Sequence, residues 1–326
     1  MTAQIAIIVP GIMGSVLKQG NETIWPGAVS ELLFPYKKMD QLMSLDLDPV
    51  DVIRSISTSR QYADLIDSMT TCGFDEEGPP KTLFVCPYDW RKPNELAAER
   101  LAKMIEDAAH LHNGDLDIFL IGHSMGGLVS RYYLESGKFT QRTGFANVKR
   151  LITLGTPHRG AALALSAIAG LEPCLFLSGS QVRQLANDAR YPALYQLLPP
   201  QGEPFVWDDD PDSQYLPVDI YQPAVRTALK LSAANLNAAR EFHARLDLAK
   251  RPMGVEYFFF YGTRQPTVST VYFRKTGCAE GRAEGRIRKL ELENAGDGTV
   301  PVWSGMQPGI QGRPVGGEHG SIYQNG

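Results

Sequence analysis

Hydrophobic residues along this chain fall into short runs bounded by Gly, Pro or Asp. Runs at residues 4–9, 82–86, 116–121, 149–154 and 255–261 are rich in β-branched and aromatic side chains, as strands buried on both faces of a parallel sheet should be. Between them, at roughly 60–71, 94–111 and 127–135, the pattern is helical. The stretch 94–111 (NELAAERLAKMIEDAAHL) is the clearest case, with apolar residues at helical spacing, charges opposite, and a Pro93-Asn94 entry. Alternating strands and helices predict an α/β fold, a mostly parallel sheet flanked by helices and joined by right-handed crossovers.

Two long stretches break the alternation, at about 15–58 and 160–252. The first mixes Trp, Leu, Phe and Tyr with Pro, Gly and Lys. The second carries the acidic WDDDPDS and a helix-like segment at 225–248. Both read as insertions in one domain spanning 1–326, and insertions of this length commonly serve as lids or substrate walls. The Gly/Arg-rich tract 278–286 reads as an exposed hairpin loop between strands at 268–273 and 287–291.

Composition narrows the function classes. The 326 residues are 43% hydrophobic and 21% charged with a formal net charge of -4, so no broad field draws the chain to nucleic acid, and no nucleic-acid partner is expected. No 18-residue apolar run is present to span a membrane as a helix. A core-like run starts almost at once, at Ile5, with no secretory leader before it, which makes cytoplasmic the default location. Cys72, Cys86, Cys174 and Cys278 lack paired metal spacing and are expected to be reduced and buried.

The chemistry centres on Gly122-His123-Ser124-Met125-Gly126, a G-x-S-x-G match. Alone this pattern is weak. Its context is specific: the run LDIFLI leads into it and the helical GLVSRYYLE follows, the strand–turn–helix of a nucleophile elbow. A serine hydroxyl needs a base to take its proton, and in this architecture an acid and then a histidine follow the serine along the chain. His319, in Gly-Glu-His-Gly near the C-terminus, is the expected base. Asp297, between two glycines in NAGDGTVP, is the expected acid, ahead of Asp208, Asp209 and Asp210, which read as a solvated acidic run. The side chain of His123 should point away from the serine, His158 should shape the pocket rim, and His110, His112 and His243 read as solvated helix-face residues. Oxyanion donors are expected from the amides of Met125, after the serine, and Ile12, in the PGIMGS loop after the first strand. Such chemistry needs no metal or organic cofactor.

Four patches together carry a family resemblance: VPGIMGS at 9–15, YDWR at 88–91, IGHSMGG at 121–127 and GDGTVP at 296–301, followed by His319. They resemble the lecithin:cholesterol acyltransferase-like group of α/β-hydrolases, which includes phospholipases and phospholipid:diacylglycerol acyltransferases. The TLGTPHRG patch at 153–160 is shared widely with lipases. The resemblance implies an acyl-serine intermediate drawn from a lipid ester and passed to an alcohol or to water. It supports Ser124, Asp297 and His319 as the triad and Ile12 and Met125 as oxyanion donors. Met13, His123, Trp90 and His158 are the candidate substrate-binding residues. The first insertion would match the family's membrane-touching region, giving peripheral membrane contact, and 160–252 its cap. Trp25, Leu32, Leu33 and Phe34 would then be exposed apolar contacts, or else pack against the cap.

Two departures stand out. No cysteine occurs between residues 1 and 71, so the disulfide of secreted members is absent. The strand expected before His319 is weak, since QGRPVGGEHG has almost no apolar run. Only seven residues follow His319, too few for the usual final helix, so the sequence is either a fragment or a minimal branch. Beside the lipid-directed enzyme stand two alternatives: an esterase of soluble small esters, and a non-catalytic binding module on a hydrolase fold.

Overall fold

The strand Ala3–Val9 alternates between two cores. Ile5, Ile7 and Val9 join Leu101, Ile105, Leu128 and Val129 on one side, and Ala6 and Ile8 join Leu65, Ile66 and Leu83 on the other. The period of two along a strand makes this division. The helices Asn94–Leu111 and Met125–Glu135 cover the first face and Ala63–Thr71 the second. The computed structural model describes residues 2–27, 36–210, 212, 215–279 and 282–324.

Six strands form the main sheet, in the spatial order Gln311–Gly316, Glu256–Thr263, Val148–Leu154, Leu116–His123, Ala3–Val9, Leu83–Val85. All neighbours are parallel. The chain moves outward from Ala3–Val9 to Leu83–Val85, then crosses back to Leu116–His123 and continues the other way. Strand order therefore reverses between Ala3–Val9 and Leu116–His123, and ligands of such sheets bind beyond the strand C-termini at this switch point. The loop at Pro10–Gly14 and the turn at Ser124 both emerge there. This is the mostly parallel sheet flanked by helices that the alternation in sequence predicts.

Several local expectations are revised. The helix expected at 60–71 starts only at Ala63, because Ser59–Arg60 pairs with Ser55–Ile56. The segment 225–248 is two helices, Pro223–Ala228 and Ala233–His243. Lys230 takes φ 55° between them, and Ser232 restarts the helix by accepting a bond from the Asn235 amide. The tract 278–286 is not a loop of its own. Strand pairing runs through it to Ala279–Arg282, in a long antiparallel hairpin of Gln265–Ala279 with Arg282–Gly296. The weak strand before His319 does form, over Gln311–Gly316. It lies at the sheet edge, where pairing needs little apolar character and Pro314 is tolerated.

In the first insertion, Glu22–Trp25, Ser15–Gln19 and Asp48–Val52 make a small antiparallel sheet. Trp25 is not an exposed contact. It is fully buried, with ring centroids 5.2 Å from Trp90 edge-on and 5.8 Å from Phe176 of the second insertion. Leu32, Leu33 and Phe34 lie outside the described residues. Cys86 is buried and Cys174 half-buried, and burial pushes their thiols up to about 12 and about 11. Cys72 is exposed, contrary to expectation, and the side chain of Cys278 is not among those described. No helix among the described residues is long and apolar enough to cross a membrane.

The YDWR patch ties the two insertions to the sheet. Arg91 is buried and pairs with Asp89 through two bonds, at 2.8 and 2.7 Å. It also donates to the carbonyls of Leu42 and Ser44 in the first insertion, and its guanidinium lies over the ring of Tyr191 from the second. Removing one partner of a buried pair strands the other's charge. Arg91→Ala should therefore lower the unfolding free energy by about 3–5 kcal/mol. Lys103→Ala, which breaks an exposed pair with Asp107, should cost about 0.5 kcal/mol or less. Urea titrations of the two variants against wild type check the contrast.

Candidate active site

Ser124 sits at the end of Leu116–His123 with φ 52° and ψ -124°. A non-glycine residue held there stores on the order of 1–3 kcal/mol of strain, so the surroundings must over-determine the turn. They do: the Ser124 amide donates to the Leu154 carbonyl at 2.9 Å. Its own carbonyl accepts from the Gly127 amide at 3.1 Å and the Thr156 hydroxyl at 2.9 Å. A Cβ on Gly126 would lie 2.1 Å from the Val9 carbonyl oxygen; only glycine lets the elbow helix start this close to the neighbouring strand.

Three side chains expected to work together are brought together. His319 Nε2 is 2.9 Å from Ser124 Oγ, and His319 Nδ1 is 2.8 Å from Asp297 Oδ2. The other oxygen of Asp297 accepts from the amides of Val300 at 2.7 Å and Thr299 at 3.0 Å. Burial of Asp297 opposes its ionisation, but facing His319 and accepting these three bonds outweighs burial and holds the carboxyl below its ordinary value. The backbone joins in, the His319 amide donating to the Asp297 carbonyl at 2.8 Å. Gly155, at φ 59°, leaves bare backbone beneath the pair; a Cβ there would come within 3.1 Å of both Asp297 Oδ2 and His319 Nδ1.

The loop after Ala3–Val9 is held by side chains from three other parts of the chain. The Tyr88 hydroxyl donates to the Pro10 carbonyl at 2.7 Å, and the Trp25 indole to the Met13 carbonyl at 2.9 Å. The Gly11 amide donates to the Tyr62 hydroxyl at 2.7 Å, and the Gly14 amide closes the turn onto Gly11. None of these bonds uses the Ile12 amide. The Met125 amide opens the helix Met125–Glu135, where an N–H has no intrahelical acceptor. The amides of Ile12 and Met125 are the pair expected to receive an oxyanion.

A cavity of about 390 Å³ opens over Ser124 and His319. Its walls are largely apolar, with Met13, Ile53, Leu163, Ala167, Leu194 and Leu197 among them, and among the described residues no Lys, Arg, Asp or Glu lines it. Met13 and His123 line this cavity, as expected of substrate-binding residues. Trp90 and His158 do not. Trp90 lines a side cavity of about 40 Å³ that shares Ile12 and Met13 with the main one. His158 is buried away from the rim, stacked on Phe259 at 3.8 Å and bonded to Thr153 at 3.1 Å.

His123, expected to turn away from the serine, lines the same cavity as Ser124, its ring centroid 5.1 Å from that of His319, and both of its nitrogens have partners. Its Nδ1 is 2.7 Å from the Tyr62 hydroxyl and its Nε2 is 3.0 Å from the His319 carbonyl. Tyr62 escaped sequence analysis because nothing in SRQYADLI marks it and 51 residues separate it from Gly11. His243, expected in solvent, is largely buried, and burial brings it down to about 4. Burial and the neighbouring His319 bring His123 down to about 3. Burial, with Arg131 nearby, holds His158 well below its ordinary value.

Comparison with known proteins places this geometry in context. The family model described as Lecithin:cholesterol acyltransferase matches residues 47–215, just over half of the chain. That match contains YDWR and the elbow and stops short of Asp297 and His319. Lecithin-cholesterol acyltransferase-like 4 of Arabidopsis thaliana is 27% identical over 402 aligned positions, covering 98% of this chain and 72% of that protein. Phospholipase A(1) LCAT3 of the same plant is 27% identical, covering 79% of this chain and 65% of its own length. The human Lysosomal phospholipase A and acyltransferase matches over a shorter stretch, 34% identical across 26% of this chain and 20% of its own. Among solved structures, the Tle4–Tli4 complex superposes with a TM-score of 0.70 at 14% identity, covering 99% of this chain and 96% of that one, a likeness of fold.

Three histidines, His123, His158 and His243, lower the stability of the protein in acid. Burial holds each of them in the fold below the ordinary imidazole value of about 6.5, so the unfolded chain binds protons that the native chain refuses. Stability is then full above about pH 6.5 and falls as pH drops toward 4 and below. Urea midpoints at pH 7, 5.5 and 4.5 should decline in that order, and His243→Gln should flatten the decline. Equal midpoints at the three pH values would show that these side chains are not neutral in the fold.

Proposed function

Since the chain belongs to the lecithin:cholesterol acyltransferase family, we propose that it performs serine-dependent acyl transfer on lipid esters with Ser124 as the nucleophile. The observation that carries this reading is the file of hydrogen bonds from Asp297 through His319 to Ser124 at the base of an apolar, uncharged cavity. Ser124 Oγ attacks the ester carbonyl while His319 Nε2 takes its proton. Asp297 holds the ring with the proton on Nδ1 and stabilises the imidazolium that forms. The amides of Ile12 and Met125 receive the oxyanion, each such donor being worth about 2.7–4 kcal/mol of barrier. The alcohol leaves with the proton from His319, and a second alcohol or water, deprotonated by the same ring, releases the acyl group.

The cavity walls match an acyl chain better than a charged ester. The loop between Ala162–Ile168 and Gly179–Ala186 extends the apolar surface outward. Leu175 lines the cavity and is still 54% exposed, and Leu171 is 56% exposed. Glu172 between them is paired with Lys289 at 2.9 Å. This rim is our candidate for peripheral contact with a lipid surface, in a chain whose default location is cytoplasmic. An esterase of soluble substrates is the second reading, favoured by the modest volume, about 390 Å³, over Ser124.

Fluorophosphonate labelling read by mass tests the nucleophile. One adduct on Ser124 in wild type and none in Ser124→Ala is expected; a folded wild type that neither labels nor cleaves any ester refutes the reading. Asp297→Asn should reduce kcat by on the order of 10⁴-fold, as the same change does in serine proteases. Leu171→Ser with Leu175→Ser should lower the rate on micellar or vesicle esters severalfold while sparing a soluble p-nitrophenyl ester. Equal losses on both would favour the soluble-ester reading.

A further inference from the structure

His319 reaches the site on weak support. The strand that delivers it, Gln311–Gly316, is largely exposed at the sheet edge, and Gly317 turns with φ 109° just before it. Beyond it only Ile322 is buried in the last turn. Two backbone bonds fix the residue: its amide to Asp297 and its carbonyl to His123 Nε2.

The second bond belongs to a longer chain whose direction can be assigned. A carbonyl only accepts, so His123 Nε2 carries the proton. The ring is neutral at ordinary pH, burial and His319 holding it down to about 3, so Nδ1 is bare and accepts from the Tyr62 hydroxyl. The Tyr62 oxygen accepts in turn from the Gly11 amide. The sequence runs Gly11 N–H to Tyr62 O–H to His123 ring to His319 C=O, with distances of 2.7, 2.7 and 3.0 Å. Gly11 precedes Ile12, the proposed oxyanion donor, and a Cβ on Gly11 would lie 2.8 Å from Ser124 Cβ. Tyr323 closes the outer side, its ring stacked on Tyr62 at 6.3 Å and edge-on to His123 at 5.8 Å.

We propose that Tyr62 and His123 are positioning residues that lock the Gly11–Gly14 loop and the His319 loop into one register around Ser124. One end of the relay aims the oxyanion donor, and the other aims the base. The proposal rests on Ser124 and His319 acting as described above. Loss of the Tyr62 hydroxyl leaves the Gly11 amide and His123 Nδ1 buried without partners, so both loops relax together. Tight aim matters because a displacement of about 1 Å at reacting groups can cost on the order of 100-fold in rate.

The test uses the full chain and a soluble p-nitrophenyl ester, with active sites counted by fluorophosphonate. Tyr62→Phe should lower kcat per active site on the order of 10–100-fold with KM within about twofold, and slow the labelling rate in parallel. His123→Ala should show the same pattern. His123→Gln, whose amide reaches the Nε2 position and can still donate to the His319 carbonyl, should recover about tenfold of that loss. If Tyr62→Phe keeps kcat per site within about twofold, or if Gln recovers nothing over Ala at position 123, the relay is packing alone and the proposal falls. Should Tyr62→Phe fail to fold, the Ala and Gln variants at 123 decide by themselves. A wild type that does not label at all would instead overturn the nucleophile, a separate failure.

Discussion

The parallel register of Ala3–Val9 against Leu116–His123 is the constraint on which the site depends. It pairs Val9 with Gly122, so the loop that follows one strand and the elbow that follows the other leave the sheet side by side. The approach is close enough that the elbow helix must begin on glycines. Everything else is brought to a point this pairing has already fixed. Asp297 comes from the foot of a hairpin, His319 from the edge strand, and the cavity walls from two insertions held down by Arg91. Two strands in the middle of the sheet supply the least adjustable part of the machinery, and its farther parts are anchored by hydrogen bonds.

Polar and apolar duties are kept apart around Ser124. The cavity in front of the serine offers carbon atoms and no fixed charge among the described residues. Behind it lies a layer of satisfied polar groups in which Tyr62, Tyr88, His123 and Thr156 bind backbone. An apolar, uncharged wall raises the worth of the few dipoles aimed past it. Burial behind that wall would make any unpaired donor there costly, and many of the bonds there end on main-chain atoms. His123 shows the arrangement at one residue: its ring lines the cavity and also carries a bond on each nitrogen.

Much of the sheet could be read from sequence because buried parallel strands announce themselves as apolar runs, and each expected strand appears within a few residues. The side chains that stand together at the site could be located because the elbow and the GDGTVP turn are local patterns. Where expectation failed, the deciding contact was distant. Trp25 could be read as a surface contact or as packing against the cap, and only Trp90 and Phe176 decide for the second. His158 stands in a motif, yet Phe259 and Thr153 draw it inward. Tyr62 carries no local mark, and its role comes from two partners in other elements. The edge strand before His319 escaped the apolar pattern because backbone pairing to Glu256–Thr263 makes it, not burial.

That edge strand separates two kinds of robustness. Regions with little buried apolar surface and a solvent-facing ladder open on their own, at a fraction of the free energy that unfolds the whole. Gln311–Gly316 fits that description, while Leu116–His123 lies at the opposite extreme. The proposed base thus follows an exposed edge strand, and the proposed nucleophile a strand buried at the centre of the sheet. Opening of that edge would carry His319 away from Ser124 while the central strands stay paired, leaving the proposed nucleophile without its proposed proton acceptor. Working lifetime would then be governed by fraying at the last strand, and stitching that margin down would prolong it without touching the core.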